Sequence, residues 1–324
     1  MKTKSLILLF FGISRLVFGQ VQVPGTPQWE ITLHVTDQAG GPIANATATA
    51  SYYIPQPAGT GETGSHAMAT TDTNGLATLS AHSGPVVICL AQKAGYYSSS
   101  TLSFHFKDKS GDEWQPWNPM GNLLLKQIMN PIPMYAKWIR SKPFHIKKTG
   151  NAPTFFNKIF AYDLTAGDWV APLGKGEHSD IIFTEDFHKE SQLDYEDKLT
   201  VGFSNAGDGI QQYIVPDNEK YSGLRSSYES PADGYQSQIV KLDASHPGQS
   251  PVFEYDENAV YFFRVRTILD ENGNVKSALY GKIYGDFVNF QYYLNPTPND
   301  RNVEFDLKRN LFDGLEPLEQ VKTP

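Results

Sequence analysis

From Trp29 to Phe104 short runs of alternating apolar and polar residues are separated by clusters of turn-forming residues, a spacing that restricts the stretch to a small antiparallel β-sandwich. The run WEITLHVTD places Ile31, Leu33 and Val35 on one face and Glu30, Thr32 and His34 on the other, the period of a half-buried strand. Gly40, Gly41 and Pro42 then reverse the chain. Ala46 to Tyr53 returns as a strand of small and β-branched residues, and a Gly/Thr/Ser loop is expected from Pro55 to Ser65. Asp72, Asn74 and Gly75 make a tight turn into Leu76, Thr78 and Leu79. After Gly84 and Pro85, VVICLA is short and continuously apolar, as a central strand is, and a last strand is expected from Ser98 to Phe106.

Three pieces of this stretch resemble the carboxypeptidase regulatory-like domains, which are transthyretin-like or immunoglobulin-like sandwiches. They are V-x-D-x-x-G-x-P-I (Val35, Asp37, Gly40, Pro42, Ile43), one residue longer than the family spacing, T-D-x-N-G (Thr71, Asp72, Asn74, Gly75) and K-x-G-Y (Lys93, Gly95, Tyr96). The resemblance covers residues 29–106 and implies a spacer or adhesion module rather than an activity. Further along, Asn130 to Lys137, Gly167 to Gly176 and Tyr292 to Asp306 are similar to stretches of secreted bacterial proteins, which again implies no activity.

At 324 residues the chain is long enough for two domains. Its start reads as a secretory signal peptide: Lys2 and Lys4, an apolar stretch from Leu6 to Ile13, then Val17-Phe18-Gly19 before a cut expected at Gln20. Gly12, Ser14 and Arg15 break the run well short of the ~20 apolar residues that span a bilayer. No later segment is apolar enough to cross one, so no transmembrane segment is expected after cleavage. Losing Lys2, Lys4 and Arg15 takes the formal charge from −8 to −11. Such an acidic chain without a basic run disfavours nucleic acid and anionic membranes, which need Lys and Arg against phosphate. Cys89 is the single cysteine, so no disulfide can form within the chain, and its apolar strand makes it a buried structural thiol.

Beyond Lys107 the pattern changes. Trp114-Gln115-Pro116-Trp117-Asn118-Pro119 marks a boundary, Asn130-Pro131-Ile132-Pro133 forces extended backbone, and Met134 to Gly150 is basic and irregular, as a connection would be. From Asn151 onward strand signals return: Phe155 to Leu164, Asp180 to Thr184, Lys198 to Phe203, Ile210 to Val215 and Gln238 to Leu242. VYFFRVRTIL and VKSALYGKIY flank Asp270-Glu271-Asn272-Gly273-Asn274, a hairpin signature. In it Tyr261, Phe263 and Val265 should face the core and Arg264 and Arg266 the other way. Phe287 to Leu294 extends the same sheet, and no helix of three turns is evident.

Two groups of residues have the chemistry of metal ligands. Glu177-His178-Ser179-Asp180 and Glu185-Asp186-Phe187-His188 bracket one strand, so His178, Asp180, Asp186 and His188 could converge on zinc or calcium. Their spacing fits no helix-borne zinc motif, and charged clusters at strand ends are ordinarily solvated. Asp270, Asn272 and Asn274 alternate as calcium ligands do, but a hairpin turn needs the same residues. The expectation is therefore no cofactor, with Ca²⁺ or Zn²⁺ at these positions as the alternative. Gly174-Lys175-Gly176 lacks the spacing of a phosphate loop, and Ser204 sits between strands rather than in a nucleophile elbow. Trp114, Trp117, Trp138 and Trp169 are the candidate glycan-binding residues, because exposed aromatic faces stack on sugar rings. Their ordinary alternative is packing of large apolar side chains.

These readings combine into an all-β protein. A signal peptide (1–19) precedes an immunoglobulin-like or transthyretin-like β-sandwich (20–108), a linker (109–150), a larger β-sandwich or jelly-roll-like domain (151–310) and a polar tail (311–324). The expected role is non-catalytic, in surface recognition, adhesion or envelope structure, in a secreted or periplasmic protein whose partner is a glycan or an envelope protein. The alternative is a carbohydrate-active or metal-assisted hydrolase with its site around Asp168 to Glu190.

Overall fold

Strands are the dominant regular structure of the described residues. The computed structural model describes residues 25–55, 61–140, 159–287 and 289–324, and among these the one helical element is a 3-10 turn at Asp217–Glu219. The expected signal peptide and the stretch 141–158 lie outside the described residues. The chain divides into two units. One is formed by residues up to Thr36, Pro42–Ala91 and Thr101–Leu123, the other by Asp37–Gly41, Gln92–Ser100 and Leu124–Pro324.

The first unit is a sandwich of two sheets. Strands β1 (Gln28–Thr36), β4 (Leu76–His82), β7 (Asp108–Ser110), β8 (Glu113–Gln115) and β9 (Met120–Leu124) make one, in the order β4-β1-β8-β7 with β9 also pairing β1. Strands β2 (Thr47–Pro55), β3 (Glu62–Thr70), β5 (Val86–Gln92) and β6 (Leu102–His105) make the other, in the order β3-β2-β5-β6. The alternation read from the sequence decides what is buried: Trp29, Ile31, Leu33 and Val35 of β1, Ala48 and Ala50 of β2, and Val87, Cys89 and Ala91 of β5 have no exposed surface. Trp29 meets Tyr52 edge to face at 5.4 Å, and its indole N–H donates to Ser83 Oγ at 2.7 Å, which satisfies the polar tip of a fully buried ring. Burial pushes the Cys89 thiol up to about 12, the state of an inert structural cysteine.

Two expectations change here. The loop expected from Pro55 to Ser65 is shorter than that where it is described, residues 56–60 lying outside the described residues: Pro55 closes β2, Glu62 to Ser65 open β3, and β3 pairs with β2 in unbroken register from Pro55↔Glu62 to Thr47↔Thr70. Its inward residues are Ser65, Ala67 and Ala69, so the ladder forms without the apolar alternation that would announce it. The stretch 109–150, expected to be a linker, instead supplies β7, β8 and β9 to the first unit and a strand to the second.

The second unit packs two six-stranded sheets. Strands β10 (Ile132–Ile139), β15 (Gly209–Tyr213), β18 (Val260–Leu269), β19 (Val275–Gly285), β20 (Phe290–Leu294) and β21 (Phe305–Asn310) form the central sheet, ordered β15-β18-β19-β20-β10-β21. Strands β11 (Ile159–Asp163), β12 (Asp168–Trp169), β13 (Ile181–Lys189), β14 (Tyr195–Gly202), β16 (Gln238–Ser245) and β17 (Val252–Phe253) form the other, ordered β12-β11-β13-β14-β16-β17. Between them lie Phe160, Phe183, Leu199 and Val201 from one side and Tyr261, Phe263, Val265, Ile283, Tyr292 and Leu294 from the other. The opposite face of the central sheet is buried as well: Val260, Phe262, Tyr284 and Tyr293 pack under Val303, Phe305 and Val321. The chain end, expected to be a polar tail, packs against this face through Val321. Trp138 N–H donates to Glu319 O at 2.7 Å, and Tyr293 Oη donates to Thr323 O at 2.7 Å. The described part of the basic stretch is not irregular either, since β10 pairs β20 from Tyr135↔Leu294 to Ile139↔Phe290.

A sheet covered on both sides by strands and loops encloses polar groups. Lys126 and Lys282 have no exposed surface. Lys126 Nζ meets Glu219 Oε2 at 2.5 Å and donates to Ser226 O at 2.9 Å. Lys282 Nζ donates to Ser226 Oγ at 3.2 Å and stands 5.0 Å from the ring centroids of both Tyr284 and Tyr293. Desolvation, followed by the charge of Lys126, pushes the Lys282 amine well below its ordinary 10.5.

Because the folded amine binds a proton less readily than the unfolded one, Lys282 costs stability below pH ~10.5, and the cost shrinks as pH rises towards that value. Lys282→Met is predicted to raise unfolding free energy by about 1–4 kcal/mol at pH 7, with the gain fading as pH rises towards ~10.5. Urea titrations across that range check it; a gain that does not change with pH would contradict the assignment. On the neighbouring residue, a Cβ added at Gly281 would overlap the Phe263 ring and the Tyr293 carbonyl oxygen. Gly281→Ala should therefore cost about 1–3 kcal/mol in the same titration, and an unchanged midpoint would refute the close approach.

Candidate functional site

The sheet β3-β2-β5-β6 of the first unit buries one face and leaves the other open. On β2 the core takes Ala48, Ala50 and Tyr52, which forces Thr49, Ser51 and Tyr53 outward, and the register sets Met68, His66 and Gly64 of β3 directly opposite them. From β5, Val86 and Ile88 share that side. Tyr53 is 55% exposed, Met68 61% and Val86 37%. Large apolar side chains grouped on an open sheet in this way are the mark of a binding surface, whereas single ones are ordinary.

Within this face lies a hollow of about 280 Å³. It is lined by Ser51, Tyr53, Gly64, His66, Val86 and Ile88 together with Tyr52 and Ser65. Gly64 shapes it: the position its Cβ would occupy is 3.8 Å from Tyr53 Cε1, so the aromatic ring reaches across to the bare glycine. No Asp, Glu, Lys or Arg lines the hollow. Among the described residues Ser51 Oγ, Tyr53 Oη and the ring nitrogens of His66 make no hydrogen bond, so all three remain available to a ligand.

The four tryptophans do not assemble into a platform. Trp114 is buried at 7% exposure, donates from Nε1 to Ser83 O at 2.9 Å, stacks on Phe106 at 6.4 Å and has Lys109 Nζ 4.5 Å from its ring centroid. Trp169 is wedged edge-on among Tyr162, Phe183 and Phe160. Trp138 flanks the opposite core of the second unit, with Arg140 3.6 Å from its ring centroid and its Nε1 donating to Asn289 Oδ1 at 2.6 Å. Trp117 alone is appreciably open, at 36%. Packing, the ordinary role of large rings, accounts for Trp114 and Trp169 outright.

The candidate metal ligands are similarly spread. From Ile181 to His188 the extended chain of β13 covers ~23 Å at ~3.3 Å per residue, so His178, which precedes the strand, and His188 near its end cannot share an ion. His188 pairs locally with Asp186 at 3.0 Å in solvent. Asp270 is consumed by its own turn: Oδ1 accepts the N–H groups of Asn272 at 2.9 Å and Asn274 at 2.8 Å, and Oδ2 accepts Asn274 Nδ2 at 3.2 Å. No three His, Cys, Asp or Glu side chains converge on a metal position among the described residues.

Asp180 belongs to a different arrangement, which the sequence reading missed. Between Val265 and Ile268 the β18–β19 register shifts, and Arg266 takes a positive φ of 55°. The bulge turns its side chain away from the outward course expected of it. Arg266 Nε donates to Asp180 Oδ1 at 2.8 Å, and Nη2 donates to Asp180 Oδ2 at 2.9 Å, Asp163 Oδ1 at 3.1 Å and Thr165 Oγ1 at 2.8 Å. These hydrogen bonds, Asp180's first, hold the guanidinium above its usual range. Burial would raise the Asp163 carboxyl. Bonds from the N–H groups of Ala166, His178 and Glu177 and from the Thr165 hydroxyl outweigh it and hold the acid well below the ordinary carboxylate range. Asp208 accepts Thr267 N at 2.8 Å and Arg266 N at 3.1 Å at the bulge itself, where desolvation raises its pKa despite those bonds. The carboxylates are thus spent on backbone and guanidinium, and a cation already fills the place a metal would take.

No family model matches the chain, and no curated protein matches it in sequence. Solved structures overlap parts of it. A 3-chlorocatechol 1,2-dioxygenase from Rhodococcus opacus 1CP is 13% identical over 35% of this chain and 71% of its own, with a TM-score of 0.24. A point mutant of the shaft pilin SpaA from Lactobacillus rhamnosus GG is 14% identical over 57% of this chain and 90% of its own, at 0.23. A streptococcal ancillary pilin is 9% identical over 73% of this chain and 52% of its own, at 0.21. Overlaps this remote assign neither a family nor a function.

Proposed function

We propose that this is a secreted, non-catalytic recognition protein of the cell surface or envelope, and that it binds through the open sheet of its first unit. The observation that carries the reading is the exposure of Tyr53 and Val86 at a hollow on one solvent-facing sheet, with Met68 exposed further along the same face. Secretion rests on the leader-like residues 1–19. The turn residues Asp72 and Gly75 support a regulatory-like sandwich for the first unit: Asp72 Oδ1 accepts the N–H groups of Asn74 and Leu76, and Gly75 O accepts the Val35 N–H at 2.8 Å.

The competing hydrolase reading needs free carboxylates or imidazoles in a cleft. In the stretch where it would lie, Asp168 accepts Trp169 N–H at 2.8 Å and Lys175 N–H at 2.8 Å, while Asp163 and Asp180 hold Arg266. Among the described residues no helix is long and apolar enough to cross a membrane.

The chain from Gln20 onward, applied to immobilised cellulose, xylan, mannan, chitin and peptidoglycan, is predicted to be retained on at least one polymer without releasing soluble product. Met68→Asp, which adds a charge to the open face at an exposed position, should abolish retention and leave the melting temperature unchanged. Release of reducing sugar would replace this reading with the hydrolase. Failure to be retained on any of the polymers would remove its basis.

A further inference from the structure

We infer that the hollow beside Tyr53 is a saccharide site that takes one uncharged sugar ring of a glycan, with the Tyr53 ring as its platform. The inference rests on the recognition reading above and names the ligand class and the residues.

Size sets the first limit. About 280 Å³ falls just below the range for small-molecule sites, roughly 300–1,000 Å³, and so accommodates a single ring rather than a buried oligomer. Charge sets the second. With no Asp, Glu, Lys or Arg in the lining, an ionised ligand would lose hydration and gain no counter-charge, whereas an uncharged one avoids that cost. The remaining chemistry is mixed in the proportions a pyranose has. Tyr53, Val86 and Ile88 offer aromatic and aliphatic surface to ring C–H groups. Ser51 Oγ, Tyr53 Oη and His66 offer donors and acceptors to ring hydroxyls.

Gly64 is what leaves the space. A Cβ there would make only ordinary contact with Tyr53, at 3.8 Å, and the residue has no positive φ. The fold does not require glycine at this position, so its bareness serves the surface. A valine at 64 would occupy the floor of the hollow, and an alanine at 53 would remove the platform. Neither touches the core.

An extended peptide is the other macromolecule this sheet could bind, through β3, whose outer edge is unpaired in the strand order. A peptide added there would engage backbone groups at the edge. It would not need the ring of Tyr53.

Isothermal titration with cellohexaose, xylohexaose, mannohexaose and chitohexaose, and with hexagalacturonate as the charged comparison, tests the site. At least one neutral hexasaccharide should bind with Kd below about 1 mM. Tyr53→Ala and Gly64→Val should each weaken it about tenfold or more, and hexagalacturonate should not bind. Circular dichroism of both variants should be unchanged, and amide shifts on titration should centre on β2, β3 and β5. The site is refuted if no neutral hexasaccharide binds, if both variants bind like the parent, or if shifts follow the free edge of β3 alone. Retention on a polymer that depends on Met68 but ignores Tyr53 and Gly64 would remove the sugar-ring site and leave the recognition surface standing. Loss of all retention would remove both.

Discussion

The central sheet of the second unit is buried on both faces although no α-helix among the described residues covers it, and much else follows from that constraint. Where helices do the covering, their backbone is satisfied internally; strands and loops laid over a sheet bring unpaired carbonyl and N–H groups into the interior. The chain supplies side chains to meet them. Lys126 and Tyr228 donate to the backbone oxygens of Ser226 and Gln127 at 2.9 Å and 2.6 Å. Glu304 accepts the N–H groups of Met129 at 2.8 Å and Asn130 at 2.6 Å, and the Tyr97 hydroxyl at 2.8 Å. Lys126 and Glu304 are thus buried where loop backbone needs a donor or an acceptor.

The Arg266 bulge shows the same logic on the other core. A regular strand would have sent Arg264 and Arg266 to the same side, but one irregular step and a positive φ redirect Arg266 onto Asp163 and Asp180 from the opposing sheet. The strain of that conformation is offset by five side-chain and backbone polar contacts to one residue, several of them charge-assisted. Perturbed titration follows from this packing, which is why Asp163 and Asp208 stand out electrostatically.

These two arrangements also explain what could be read from the sequence. β1, β5 and the β18–β19 hairpin were legible because apolar period and Asn-Gly turn chemistry agree locally. The hairpin loop is a turn, closed by Gly273 N–H to Asp270 O at 3.0 Å, and the apolar face of β18 points inward as its alternation implies. β3 was illegible because small inward residues leave no apolar period, and β10 because Pro131, Pro133 and the basic residues from Lys137 onward read as a connection. In the structure β10 lies next to β21, where the register slips between Ile132 and Met134, and proline is tolerated at such an irregularity. Arg266 was misplaced because a bulge has no signature in residue type. The candidate site fell in the same blind spot: Gly64 and His66 become neighbours of Tyr53 and Ser51 only once β3 is known to be a strand.

Both units leave a sheet face open, and the two faces differ in the side chains they present. In the second unit the register aligns Ile159, Thr184, Thr200 and Val240 across four strands, so the exposed apolar residues at either end are held apart by two threonines. Such a row is flat, wettable and gives a partner no purchase. In the first unit a glycine stands where a threonine would have filled the surface, and an aromatic ring leans over it beside two aliphatic side chains. Absence of a side chain at one cross-strand position converts an ordinary solvated face into one with depth. Depth combined with unpaired hydroxyl and imidazole groups makes selective binding to a small neutral shape physically reasonable on a sheet that otherwise only closes a sandwich.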